Sequence, residues 1–448
     1  MPVARKLAGW LLFICSSISV AAANHNLFVS ATGDCNGTGT AARPFVRLTA
    51  ALARVRTLRA AGDSETVTIH VAPGQYVVSR TPQDCTIEAL PIIVNVSDVR
   101  ILGATELLTD PETEVPTMAI PGGSDFVAAE VLTGGEALLL VTPDAAGNPP
   151  ERVRVSGLSL QGVGLVGHGL FLDRAQDFVV QGNVTMQFLN GIRTRGASGK
   201  VLGNLTINNH DTGMVITAGS KVSPAAVDIR ANRACGAELG ILLVATGAYA
   251  LSSPGAAPLA TQFDPSADAD TIPNQVVASL RNNVMCSNTI AGLRVFAIGQ
   301  LGNAYTVMNS NRYDTFVTID SRGNHFSNNF YGISLDGGFP RRSPTFSYST
   351  VIQAGFREEV ASGSVMANTF LGFVRLQVAL GTVPPRMFEP LSNSSMVIEA
   401  DGNLLESLNF SHPAVDGITG AVLDNHLTVN GLPIPNGSCI GVCPDPIQ

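Results

Sequence analysis

The chain has 448 residues, 45% of them hydrophobic and only 14% charged, and its formal net charge is −8. That acidity excludes a general nucleic-acid binder, because phosphate contacts need a basic face. The one tryptophan is Trp10, so the stacking of a sugar face would fall to Tyr and Phe elsewhere in the chain.

Residues 1–23 read as a secretory signal peptide. Arg5-Lys6 form the charged start, Leu7 to Val20 the apolar stretch, and Ala21-Ala22-Ala23 the cleavage site. The stretch is short for a membrane span, an uncleaved anchor being the competing reading, and no later segment is long and apolar enough. The expected location is secreted or periplasmic, with a mature net charge of about −10. Cys35, Cys85, Cys235, Cys286, Cys439 and Cys443 remain after cleavage, an even set that permits three disulfides in an exported protein.

Residues 24–85 form an N-terminal module. Leu27-Phe28-Val29-Ser30 predicts a strand. Leu48, Ala51, Leu52, Val55 and Leu58 then recur at helical spacing. Val67 to Val71, Pro73-Gly74 and Tyr76-Val77-Val78 read as strand, turn and strand. The amphipathic helix would cap the open end of whatever follows.

The run from Leu27 to Asp34, then Gly37-Thr38-Gly39-Thr40, Arg43-Pro44-Phe45 and Pro73-Gly74-Gln75-Tyr76 resembles the N-terminal signature of exported parallel β-helix proteins. The module is similar to that of a bacterial β-helix domain family of unknown function within the pectate-lyase-like superfamily. The resemblance implies an all-β, right-handed parallel β-helix with a short N-terminal capping helix. No catalytic signature of a named lyase, hydrolase or epimerase accompanies it.

Residues 86–410 carry the coils. A Gly followed by an apolar residue appears as Gly169-Leu170, Gly191-Ile192, Gly213-Met214, Gly240-Ile241, Gly292-Leu293, Gly332-Ile333 and Gly372-Phe373. The first three copies are 22 residues apart, which with β-rich content marks a solenoid. Asn183, Asn204, Asn232, Asn283 and Asn324 each precede a copy by eight or nine residues and suit turns and stacked amide ladders. Cys235 and Cys286 each follow a pattern Asn by three residues, so they share a position in successive coils. They are either a disulfide or two buried thiols in an internal column. Cys439 with Cys443 would close a C-terminal loop, leaving Cys35 with Cys85. Residues 411–448, rich in proline, read as a strap or cap.

Counting from the pattern Gly, the first and third residues beyond it are apolar and point inward, so the second and fourth face out. Stacking then gathers Phe171, Asp173, Arg193, Arg195 and Thr217 into one exposed ligand-binding patch. Long insertions at 245–275, 297–314, 337–350 and 377–395 leave the same edge and would wall a cleft beside it. Arg193 and Arg195 suit a carboxylate; Lys200 or His210 would be a base, with Asp211 orienting His210 or acting with Asp173. The competing view makes Asp173 and Arg195 an exposed ion pair and Asn208-Asn209-His210-Asp211 a polar turn. Asp173 and Asp336 sit too many coils apart for paired-carboxylate hydrolysis. Asp264, Asp268 and Asp270 are the only Ca²⁺ candidates; their spacing favours solvated loop acids, so no cofactor is expected. His168, His325, His412 and His426 read as surface or turn residues.

The expectation is a protein that engages a polysaccharide or cell-surface glycan along one face without catalysis. The alternative is a polysaccharide lyase or epimerase acting on uronic-acid polymers.

Overall fold

The repeated glycine marks the tightest corner of each coil. In the computed structural model a Cβ added at Gly213 would lie 2.7 Å from the Gly240 carbonyl oxygen of the next coil and 2.7 Å from the Thr206 hydroxyl oxygen. Gly169, Gly191, Gly240 and Gly292 meet the next coil's glycine carbonyl in the same way. Only a residue without a side chain lets two walls close at that corner. The structure describes residues 25–133, 135–164, 166–218, 224–246, 274–298, 315–337, 348–361, 376–380, 392–400, 408–412, 425–435 and 438–440.

The chain winds as a right-handed parallel β-helix with three walls. One full coil shows the plan: Phe178–Gln181 on the first wall, Val184–Met186 on the second and Asn190–Arg195 on the third. The walls hold 13, 10 and 11 strands among the described residues, and nearly all of the pairings are parallel. Antiparallel pairs occur near the C-terminus, Leu427 with Ile434 and Phe410 with Ile440. Apolar columns such as Ile101, Val155, Val180, Val201 and Ile229 fill the tube.

The polar side of the first corner is satisfied by a ladder of buried asparagines. Asn232 Oδ1 accepts from the Asn204 amide N–H at 2.8 Å and from Asn204 Nδ2 at 3.0 Å. Its own Nδ2 donates to the Val201 carbonyl at 2.9 Å and to Asn283 Oδ1 at 3.0 Å. The same geometry runs from Asn183 to Asn324, where the Glu359 carboxylate closes it at 2.8 Å from the Asn324 N–H. A shorter ladder at the next corner uses Asn209, Asn288 and Asn329.

The helix Leu48–Ala60 plugs the first coil with Leu48, Ala51, Leu52 and Val55, the i, i+3, i+4, i+7 stripe. Its own flanking residue, Arg47, supplies no side-chain cap. Glu88 does so from outside: its carboxylate accepts the Leu48 N–H, the Thr49 N–H at 3.1 Å and the Thr49 hydroxyl at 2.7 Å. Glu88 is fully buried, so Glu88→Ala leaves two helix N–H groups without acceptors. We expect a loss of about 2 kcal/mol in urea unfolding; an unchanged midpoint would mean that the cap contributes nothing.

Leu107–Thr109 and Pro116–Ala119 make a hairpin that folds back over the second wall. Arg233 Nε donates to the Pro116 carbonyl at 2.7 Å and holds it there. Among the described residues two disulfides are formed, Cys35–Cys85 and Cys235–Cys286, with Cα separations of 5.6 and 4.6 Å. Cys235 and Cys286 are in register as expected, but not in an internal column. The two second-wall strands that carry them are three residues long, and only their centres, Ala234 and Met285, point into the core. The cysteines therefore flank the inward column and bridge on the outer side. Cys439 lies in the strand Ser438–Ile440, while Cys443 and its pairing fall outside the described residues. The two bridges fit folding in an oxidising compartment. No described helix is long and apolar enough to cross a membrane.

Candidate functional site

The third wall aligns the expected columns. His168 pairs with Asn190, Phe171 with Arg193 and Asp173 with Arg195; the next coil adds Thr212, Val215 and Thr217. All five expected patch residues share one outer face, but the face is not exposed. Phe171 is 4% accessible, Arg193 3% and Arg195 9%, and Asp173 and Thr217 are buried as well. The pleat sends these side chains out of the tube, as alternation requires, into a second packed layer. Further along the face, Val215, Leu239, Leu242, Val244 and Ala291 form an apolar cluster separate from the main core.

Within this layer Arg195 and Asp173 make the ion pair foreseen between coils, at 2.8 Å, but it is buried. Arg174 approaches the same carboxylate at 3.5 Å. The two guanidiniums of Arg193 and Arg195 lie 5.3 and 5.7 Å from the Phe171 ring centre, within cation–π range. The Thr217 hydroxyl is committed to the Thr194 carbonyl at 2.7 Å.

His168, read from sequence as a surface or turn residue, is fully buried at the centre of this group. Its ring meets Phe171 edge-on at 5.5 Å. Its Nε2 lies 2.9 Å from Arg193 Nη1 and its Nδ1 3.2 Å from the Asn190 amide. Burial and the Arg193 charge push the imidazole well below the ordinary histidine range, so it is neutral. Since arginine only donates, Nε2 is the acceptor and the ring proton resides on Nδ1, so the Asn190 amide must turn its oxygen rather than its NH2 toward that nitrogen. The signal was present in sequence: His168, Asn190 and Thr212 each stand just before a pattern Gly. Strict alternation would send them inward. The glycine and the residue after it both face the core, so the residue before it emerges outside.

Arg193 is left half-used. Nη1 is engaged by His168, whereas Nε and Nη2, both buried, have no hydrogen-bond partner. One end of the Asn190 amide is also unpartnered. Burial and the nearby Arg195 charge lower the guanidinium to about 10, so it stays charged at neutral pH.

The proposed bases do not join this group. Lys200 stands exposed on the first wall, paired across to Val179 and Asp228. His210 is exposed on the corner turn, with its N–H held by the Phe188 carbonyl at 2.7 Å. Asp211 lies nearer: burial and then the Glu238 charge raise its carboxyl, which His210, the Thr212 hydroxyl and then Arg193 partly offset. The insertions 245–275, 297–314, 337–350 and 377–395 lie largely, and Asp264, Asp268 and Asp270 wholly, outside the described residues. Among the described residues, His25, Asp63 and Glu65 have ligand-type atoms within 4.8 Å of one another. The contact of 2.7 Å between His25 and Asp63 accounts for them as a tie between the first strand and the loop after the helix.

No family model matches the chain, and no curated protein matches it. Solved structures do. DFA-IIIase from Arthrobacter chlorophenolicus A6 without its lid is 13% identical, covering 90% of this chain and 99% of its own, with a TM-score of 0.34. The catalytic unit of GH87 α-1,3-glucanase from Streptomyces thermodiastaticus strain HF3-3 is 14% identical over 90% and 68%, with a TM-score of 0.39. The Yersinia enterocolitica family 28 exopolygalacturonase is 11% identical over 92% and 79%, also at 0.39. Likeness at this level carries no chemistry, which rests on the residues themselves.

Proposed function

We propose that this β-helix binds an acidic glycan through the outer face of its third wall, with the carboxylate of a uronic acid on Arg193. The observation that carries the reading is the unpartnered edge of that guanidinium, which is buried, so a ligand reaches it by displacing what covers the face. Nε–H and Nη2–H point the same way and form the fork that holds a carboxylate with two parallel hydrogen bonds. A buried arginine with half its donors idle is costly, and an anionic ligand removes that cost. Phe171 offers an apolar ring beside the fork, and the Asn190 amide a partner for a sugar hydroxyl. Export through the 1–23 leader would place the protein where such polymers occur.

Binding without chemistry is favoured because Lys200 and His210 are elsewhere. One observation supports the lyase or epimerase alternative: Asp211, a carboxyl with raised proton affinity, interacts with the carboxylate-binding arginine. We expect Arg193→Met to weaken binding of glucuronate, galacturonate or mannuronate oligomers at least 100-fold, measured by calorimetry, as loss of two charge-assisted bonds implies. Neutral oligomers of the same length should not bind. Equal binding by the variant, or by neutral sugars, overturns the assignment. New unsaturated-uronate absorbance would instead establish the lyase.

A further inference from the structure

The first wall carries a charge pattern on its outer face that the glycine-anchored register does not reach. Arg230, Arg281, Arg322 and Arg357 pair one above another on four successive coils. Two residues earlier on the strands, the adjacent outward column holds Arg100, Arg154 and Lys200. The acids of that second column are Asp228, Asp320 and Glu399. Seven cations therefore meet four acids on this stripe once Glu358 beside Arg322 is included, in a protein whose whole charge is −8.

Like charges one coil apart repel unless something neutralises them. Partial neutralisation comes from Asp228 on Arg230 at 2.6 Å, Glu358 on Arg322 at 2.8 Å, and Asp320, which Arg281 and Arg357 share. Three of the four ladder arginines keep half or more of their side chain in solvent. Exposed pairs of this kind contribute little, so each guanidinium can exchange its carboxylate for a ligand's at small cost.

The ladder also leads out of a cleft. A cavity of about 580 Å³ lies between the 107–119 hairpin and the corner of the first two walls, with Arg154, Gln181 and Arg230 on the wall side and Thr109 and Glu114 on the hairpin side. Its floor includes Gly182 and Gly203, where an added Cβ would meet nothing within 4 Å. Left-handed backbone alone does not require glycine there. The same corner position is Ala231 and Asn282 in the next coils, with φ of 52° and 53°. Under the hairpin Gly157, Gly182 and Gly203 leave the floor without side chains, Ala231 ends it with a methyl, and glycine recurs in this column at Gly323.

We propose that the first wall binds a linear polyanionic polysaccharide laid along the tube axis, lodged under the hairpin and seated on the arginine ladder. Its rungs repeat at the inter-strand distance, about 4.8 Å, so acid groups on an extended chain can engage several at once. Carboxylate and sulfate share the required chemistry. This site stands on a different wall from Arg193 and does not depend on it.

The test measures anisotropy of fluorescein-labelled polygalacturonate and heparin oligosaccharides, with single-stranded DNA of similar charge alongside. Arg281→Gln/Arg322→Gln/Arg357→Gln should bind the glycans at least 10-fold more weakly, with a shallower salt dependence and an unchanged melting temperature. Gly182→Asn/Gly203→Asn, which fills the floor with a residue that the corner conformation accepts, should weaken binding with the ladder intact. Stronger binding of one glycan identifies its acid group as the ligand. Four results overturn the proposal: no binding by the wild type, equal binding by the ladder variant, equal binding by the filled variant, or DNA binding as tight as either glycan. Loss in Arg193→Met with none in the ladder variant also overturns it, by placing the polymer on the third wall.

Discussion

Asn232→Ala should destabilise the protein by about 3 kcal/mol. The side chain joins four hydrogen bonds in a site sealed from water. Its removal leaves the Asn204 N–H and the Val201 carbonyl buried and unmet, at about 1–3 kcal/mol each. Alanine brings no replacement, and packed coils leave little room for water. The second corner supplies a natural control. There Ala237 already occupies a ladder position, and its N–H is served by Asn288 Oδ1 at 3.2 Å. Urea unfolding of Asn232→Ala should show the loss as a lower midpoint with an unchanged slope. A change under 1 kcal/mol would mean that water or a shifted neighbour repairs the ladder.

Arg195→Met should cost about 3–5 kcal/mol, whereas Arg193→Met on the same strand should abolish ligand binding with far less effect on folding. Asp173 is buried, and its close partner is Arg195 at 2.8 Å. With that partner gone, the carboxylate keeps Arg174 at 3.5 Å and little solvent. Arg193, by contrast, already lacks partners on one edge, so its removal strands only the His168 nitrogen. Melting temperatures and calorimetric titrations of both variants separate the roles. Equal destabilisation by the two would show that both are structural and that the free edge of Arg193 serves no ligand.

The coils were legible because glycine and asparagine answer backbone demands that recur once per turn. A corner that excludes Cβ and a turn that needs an internal amide leave marks at fixed spacing. Column order on the third wall was legible for the same reason, but exposure was not. Alternation says which way Phe171 and Arg193 point, and nothing about what packs over them. His168 was read as a surface or turn residue because no partner spacing marked it; its place beside Arg193 follows only once the glycine and the next residue are seen both to face the core. The cysteine pair was placed in the right register and on the wrong side, because a three-residue strand turns only its centre inward. The arginine ladder lay in plain view, two residues before Asn232, Asn283 and Asn324. It went unread because positions were counted forward from the glycine, onto a different wall.

The cap that Glu88 places on the helix sets the order in which the N-terminal end can assemble. A 13-residue helix with no cap of its own is too short to persist in water. Its missing acceptor arrives about 40 residues later, after the chain has completed the strand Gly74–Ser79. The plug and the first turn therefore become stable together rather than in sequence. Nucleation at this end must bear the entropy of closing a long loop before any contact repays it. Later coils face no such delay, since each lays its strands on a wall that already exists. The slow event in folding is thus the closing of the tube's mouth, and a chain emerging in N-to-C order meets it first.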